Sequence, residues 1–154
     1  MKARATVVTL ALCFVAAAVC LAADGFTGTW KLNEAKSKVG PGVPKNGTVV
    51  YEAAGDSVKI TVEGTDSAGT ATRSEWTGKF DGKDYAVTGD PTSDMRSYKK
   101  VNDSTLTFTA TKDGKVTLTG RVVISADGKT RTVNITATDA NGKKARGTSV
   151  YDKQ

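Results

Sequence analysis

The stretch that decides the fold is DGKVTLTGRVVISADGKTRTVNITATDANGK, Asp113 to Lys143. The turn signal Asp-Gly-Lys or Asn-Gly-Lys occurs in it at Asp113, Asp127 and Asn141, each 14 residues after the last. An Asp-Gly or Asn-Gly pair supplies the positive φ angles of a tight hairpin turn, so the spacing predicts an antiparallel meander with strands of similar length. Between the turns the side chains alternate. Val116, Leu118, Gly120, Val122 and Ile124 share one face, and Thr117, Thr119 and Arg121 share the other. Period-two alternation of this kind gives a sheet with one dry and one wet surface.

The same parity extends outward from that stretch. Phe26, Gly28, Trp30 and Leu32 share a face, as do Val58, Ile60 and Val62; Trp76, Gly78 and Phe80; Leu106, Phe108 and Ala110; and Val133, Ile135 and Ala137. A fourth turn signal, Asp81-Gly82-Lys83, is expected to end the strand that carries Trp76. About ten strands result, a number that favours closure over a flat open sheet. The fold class expected is therefore all-β: an antiparallel up-and-down meander of about ten strands closing into a barrel or a two-layer clam. At most one short helical turn is expected after the first strand, at Asn33 to Ser37. The segment Val39 to Gly47, with Pro41 and Pro44, is expected to be the longest irregular stretch and a lip or lid.

Composition sets the compartment expected. Residues 1–23 read as a signal peptide: a basic start (Lys2, Arg4), an apolar run from Val7 to Leu21, and small residues Ala22 and Ala23. Residues 24–154 then form a single β-barrel domain, exported to the periplasm or secreted, with no stable membrane anchor after cleavage. Lipid attachment at Cys20 is a minor alternative, because Val19 stands where such sites need a small residue. Both cysteines, Cys13 and Cys20, lie in the leader, so the mature chain has no disulfide. The whole chain carries 22 basic and 16 acidic residues; without Lys2 and Arg4 the balance is 20 to 16, or +4. These charges are interleaved rather than clustered, which argues against nucleic acid as a partner. A monomer is expected.

With no histidine and no mature cysteine, the usual general base, thiol nucleophile and zinc ligands are missing. The acids Asp66, Glu75, Asp81, Asp84, Asp90 and Asp94 read as solvated turn or outward residues, and the segment Thr88 to Asp94 as an Asp-Pro turn without a calcium-loop pattern. No enzyme, metal or cofactor is expected.

Two short motifs carry a family resemblance. Phe26-x-Gly28-x-Trp30-x-Leu32 resembles the first strand of calycins, the lipocalins and fatty-acid-binding proteins, in which Gly-x-Trp begins the barrel and the indole plugs its closed end. The resemblance implies that the meander closes into a calycin-like barrel with a base made by Trp30, Gly28 and Phe26, with glycine clearing space for a neighbouring strand. The closing TSVYDKQ, Thr148 to Gln154, is similar to the last strand of fatty-acid-binding proteins, typically Thr-Arg-x-Tyr-Glu-Lys. Ser149 stands where that family places an inward arginine for the ligand carboxylate, and Arg146 has the opposite parity. What is implied is a small secreted bacterial lipocalin-like protein whose lumen takes a small apolar or amphipathic molecule. Its ligand-binding candidates are Tyr151, Ser149, Arg131, Trp76 and Phe108. Arg131 shares parity with Val133 and Ile135 and is the candidate inward cation, although its place at a strand start also suits exposure at the rim. Tyr151 either points into the cavity or fills space near the base. The alternative function is a β-rich envelope or secreted interaction protein with a filled core and a threonine-rich outer face.

Overall fold

The computed structural model describes residues 25–66 and 68–154. The expected leader, with Cys13 and Cys20, lies outside the described residues, as does the start of the mature chain at Ala23 or Asp24. Eleven strands run in chain order: β1 Gly28–Leu32, β2 Lys38–Val39, β3 Lys45–Ala54, β4 Ser57–Thr65, β5 Ala71–Gly78, β6 Asp81–Thr88, β7 Met95–Asn102, β8 Thr105–Lys112, β9 Lys115–Ile124, β10 Thr130–Thr138 and β11 Lys144–Lys153. From β3 to β11 each strand pairs antiparallel with the next, and β1 pairs with both β3 and β11. The result is a closed ten-strand barrel with β2 as an extra strand. Closure rests on two registers of one short strand: Trp30 faces Val49 across one edge and Lys153 across the other.

Between β1 and β2 lies the one helical element among the described residues, a single 3-10 turn at Glu34–Lys36. Asn33 caps it, its Oδ1 accepting from the Lys36 N–H at 3.1 Å while its Nδ2 donates to Asp152 Oδ2 at 2.7 Å. Ser37 then bridges back to the wall, its Oγ accepting from the Val150 N–H at 2.9 Å. These bonds hold the chain against β11, so that Lys38 and Val39 pair with Thr148 and Gly147 where β1 has left that edge.

One end of the barrel is closed. Phe26, Trp30, Tyr51, Leu106 and Ile124 are buried there, and Gly25 lies against Asp103 and Ile124, so residues 25–27 cross beneath the base. Trp30 is fully buried and donates its indole N–H to the Phe26 carbonyl at 2.8 Å, a bond that satisfies the one polar atom of the plug. An aromatic chain leads inward from this end: Phe26 meets Phe80 edge-on at 6.1 Å, Phe80 stacks on Trp76 at 6.3 Å, and Trp76 meets Tyr98 at 4.8 Å.

Several expectations need correction. The room at Gly28 is taken by a side chain of the neighbouring strand β11, that of Lys153, rather than by strand backbone; a Cβ there would sit 3.1 Å from Lys153 Cε. Its φ of +118° is a second reason for glycine. The stem of Lys153 continues over the Trp30 ring, with Nζ 5.2 Å from its centroid. The Asp81-Gly82-Lys83 signal is not a turn between strands. It opens β6, where the pairing with β7 slips between Asp81 and Asp84, and Gly82 supplies a positive φ of 82° for that bulge. Of the three 14-residue repeats, only Asp113-Gly114 has positive φ at both residues, 50° and 74°. The turns at Asp127 and Asn141 are wider, spanning residues 125–129 and 139–143. The longest irregular stretch described is 89–94 rather than the expected segment, because Lys38–Val39 and Lys45 onward are paired and leave only 40–44 irregular.

Candidate functional site: the barrel lumen

Inward residues of eight strands, with Pro44, Asp66 and three residues of the 89–94 loop, surround a cavity of about 60 Å³. It is lined at depth by Arg131, Tyr151, Tyr98, Phe108 and Val49, and toward the open end by Pro44, Asn46, Asp66, Pro91 and Thr92. A water molecule needs roughly 10–15 Å³ by this measure, so the space takes a few waters or one small molecule. Drug-sized ligands occupy pockets of about 300–1,000 Å³. A longer guest requires the segment 40–44 to move, because Val43 is buried against the core at that end.

Arg131 dominates the chemistry. Its position at the start of β10 suggested the rim more readily than the interior, but the side chain is inward and only 5% exposed. It stands directly across from Tyr151 in the β10–β11 register. Its guanidinium lies 4.8 Å from the Tyr151 ring centroid and 5.3 Å from that of Tyr51, a cation held between two π faces. Nη2 donates to the Tyr51 hydroxyl at 3.0 Å. Nε and Nη1 are buried with no hydrogen-bond partner, and among the described residues no carboxylate pairs with the group. Burial works against the charge, yet Tyr51, Tyr151 and Tyr98 outweigh it and the net shift of Arg131 is upward. The group remains a cation at any working pH.

The tyrosines respond to the same burial. Tyr51 is pushed up to about 12 by desolvation, with Arg131 pulling against it. Tyr151 is raised too, again by burial, with Arg131 and the Ser149 hydroxyl partly offsetting it. Both hydroxyls are therefore protonated and able to donate.

A second cation, Arg96 on β7, lines the cavity with its charge matched by a carboxylate, although its Nε, too, is buried without a hydrogen-bond partner. Its Nη2 donates to Asp90 Oδ2 at 2.5 Å, and both side chains are nearly buried. Asp90 also accepts from the Thr92 N–H at 2.8 Å, the Thr92 hydroxyl at 2.7 Å and the Ser93 hydroxyl at 2.6 Å. Burial raises the Asp90 pKa, but Ser93, Thr92 and Arg96 together bring it below the usual carboxylate value. The Asp-Pro turn is thus as expected, whereas the expectation that Asp90 is a solvated surface acid is corrected: it is a part-buried counter-ion to Arg96. Among the described residues no cluster of acids with metal-holding geometry occurs.

Of the five sequence candidates, Arg131, Tyr151 and Phe108 line the cavity. Trp76 does not; it is packed into the aromatic chain and donates its indole N–H to the Arg96 carbonyl at 2.8 Å. Ser149 is 2% exposed but lies outside the lining. The lining residues Arg96, Tyr98 and Asp90 were missed, as was Tyr51, which packs against Arg131 outside the lining. Arg96 and Tyr98 are two apart on β7, a parity that the flanking charges in "MRSYKK" obscure, and Tyr51 shares the parity of Val49. The lumen cation without a carboxylate partner comes from β10, and the last-strand position that the fatty-acid-binding resemblance fills with arginine holds Ser149.

No protein-family model matches the chain, and no curated protein matches it. Matches occur among solved structures. A redesigned β-barrel, mFAP1, bound to DFHBI is 16% identical with a TM-score of 0.45, covering 84% of this chain and 95% of that one. Another redesigned β-barrel is 14% identical with a TM-score of 0.45, covering 88% and 97%. EF1p2_mFAP2b bound to DFHBI is 14% identical with a TM-score of 0.48, covering 86% and 97%.

Proposed function

We propose that this protein is an exported, lipocalin-like barrel that binds one small amphipathic molecule in its lumen, as a monomer and without catalysing a reaction. The observation that carries the reading is the internal cavity, which joins polar groups at depth, Arg131 and Tyr151, to a mouth at Pro44, Asn46 and Pro91. Apolar walls with a few convergent polar groups are what small-molecule sites share. The lack of histidine supports binding over catalysis, and the tripartite start of the sequence supports export. Mass spectrometry of the protein purified under native conditions tests it: one co-purifying small molecule per chain is expected, and barrels found empty from several sources overturn it. N-terminal sequencing tests export, with a start at Ala23 or Asp24 expected and an intact Met1, or lipid on Cys20, counting against.

The second reading, an interaction protein with a filled lumen, is favoured by the small size of the cavity and by the outer wall. There a shallow depression over β8 to β11 is lined by Thr107, Thr119, Thr136, Lys38, Arg121 and Arg146. Empty barrels together with loss of partner binding in Arg121→Glu would favour this second function.

A further inference from the structure

We propose that the lumen is a site for a single monoanionic group, a carboxylate or a comparable small oxyanion, held by Arg131 with Tyr151, both of which line the cavity. The inference rests on the small-molecule reading above and names the chemistry of the guest. A guanidinium carries five N–H donors. In Arg131 only Nη2 is used, by Tyr51, while Nε and Nη1 are buried without acceptors. A buried cation left without a counter-charge is strongly unfavourable, and cation–π contact with two rings answers the charge without supplying the missing acceptors. An oxyanion supplies both at once, with two or more oxygens to meet the orphaned N–H groups in charge-assisted bonds.

The valence of the guest follows from the neighbouring pair. Arg96 is neutralised by Asp90 at 2.5 Å, and the other lining acid, Asp66, lies toward the mouth with its carboxylate held by the Ala68 and Thr70 N–H groups, so at depth the one positive charge with no carboxylate against it is Arg131. Its size follows from the cavity of about 60 Å³, which suits an ion of a few heavy atoms or the head group of a longer chain whose tail displaces Val43 from the mouth.

The test is calorimetric titration of the intact protein, in a buffer free of carboxylates, with sodium acetate, sodium nitrate, sodium decanoate, acetamide and decanol. Saturable one-to-one binding of acetate, with acetamide at least 10-fold weaker, is expected. Arg131→Met should stay folded and lose at least 10-fold in acetate affinity; should it not fold, the acetate-to-acetamide ratio in the native protein decides alone. Decanoate binding 100-fold or more above acetate assigns the anion to an amphiphile's head group, and comparable affinities assign it to a free ion. Equal binding of decanoate and decanol, unchanged in Arg131→Met, overturns the anion site and leaves the small-molecule barrel standing. No binding of any of the five overturns the anion site, and a co-purifying uncharged molecule would then keep the broader reading alive on its own.

Discussion

Trp30 is where residue chemistry and architecture meet most directly. It fills the closed end, its one polar atom is satisfied by Phe26, and Lys153 covers it from outside. Trp30→Ala leaves a cavity that a closed wall cannot collapse around, so a loss of roughly 3–5 kcal/mol in chemical denaturation is expected. Tyr51 gives a second, pH-dependent outcome. Its folded pKa of about 12 lies above the ordinary value of about 10, so the folded state holds the proton more tightly than the unfolded chain. That stabilisation is fully present below pH 10 and is lost as pH rises toward 12. Between those limits the native protein should lose up to about 2–3 kcal/mol more than Tyr51→Phe, read as diverging urea midpoints at pH 9 and pH 11.5. The two residues differ in how visible they are beforehand. Trp30 stands in a strongly alternating strand beside a glycine, whereas Tyr51 becomes notable only when β10, 80 residues away in sequence, brings Arg131 to its hydroxyl.

At the scale of elements, the turns rank themselves by what surrounds them. Gly114, Gly128 and Gly142 have φ of 74°, 70° and 78° with open space around them, so Gly→Val at each costs only the left-handed backbone, ~1 kcal/mol or more. Gly89 combines a φ of +75° with crowding, since a Cβ added there would collide with the Arg73 carbonyl oxygen of the adjoining strand. Gly89→Ala should therefore lower the melting temperature more than any of those three valine variants, and an equal or smaller drop would refute the crowding. Periodicity made β8 to β11 legible because regular hairpin spacing and clean alternation coincide there. It failed around β6, where the bulge between Asp81 and Asp84 shifts the parity and a glycine that looks like a turn residue sits inside a strand. Parity also tells which way a side chain points, but not how far along the barrel axis it lies. That is why Trp76 and Phe108 looked alike in sequence and yet one is packed among aromatics and the other lines the cavity.

For the molecule as a whole, the strand count could be read from spacing, but the manner of closure could not. β1 is only five residues long, and its pairing with β11 joins segments about 120 positions apart, which no local pattern encodes. Nor does parity reveal that β5 and β6 share only two paired positions, Glu75 with Thr88 and Trp76 with Val87, which makes that seam the weakest in the wall. Amide hydrogen exchange should find the β5–β6 amides opening before those of β10 and β11, which pair over nine positions. The double pairing of β1 also has a topological meaning: the described chain is close to a ring. Gln154 donates its backbone N–H to the Thr29 carbonyl at 2.9 Å, so the last residue lies beside β1, a short span from Gly25. A circularly permuted polypeptide that links Gln154 to Gly25 through a few flexible residues and begins at Gly114 should keep every strand neighbour and unfold in one cooperative transition. The order in which the strands are synthesised would change while the wall they build would not, and a permutant that stays unfolded would show that β1 must be made first.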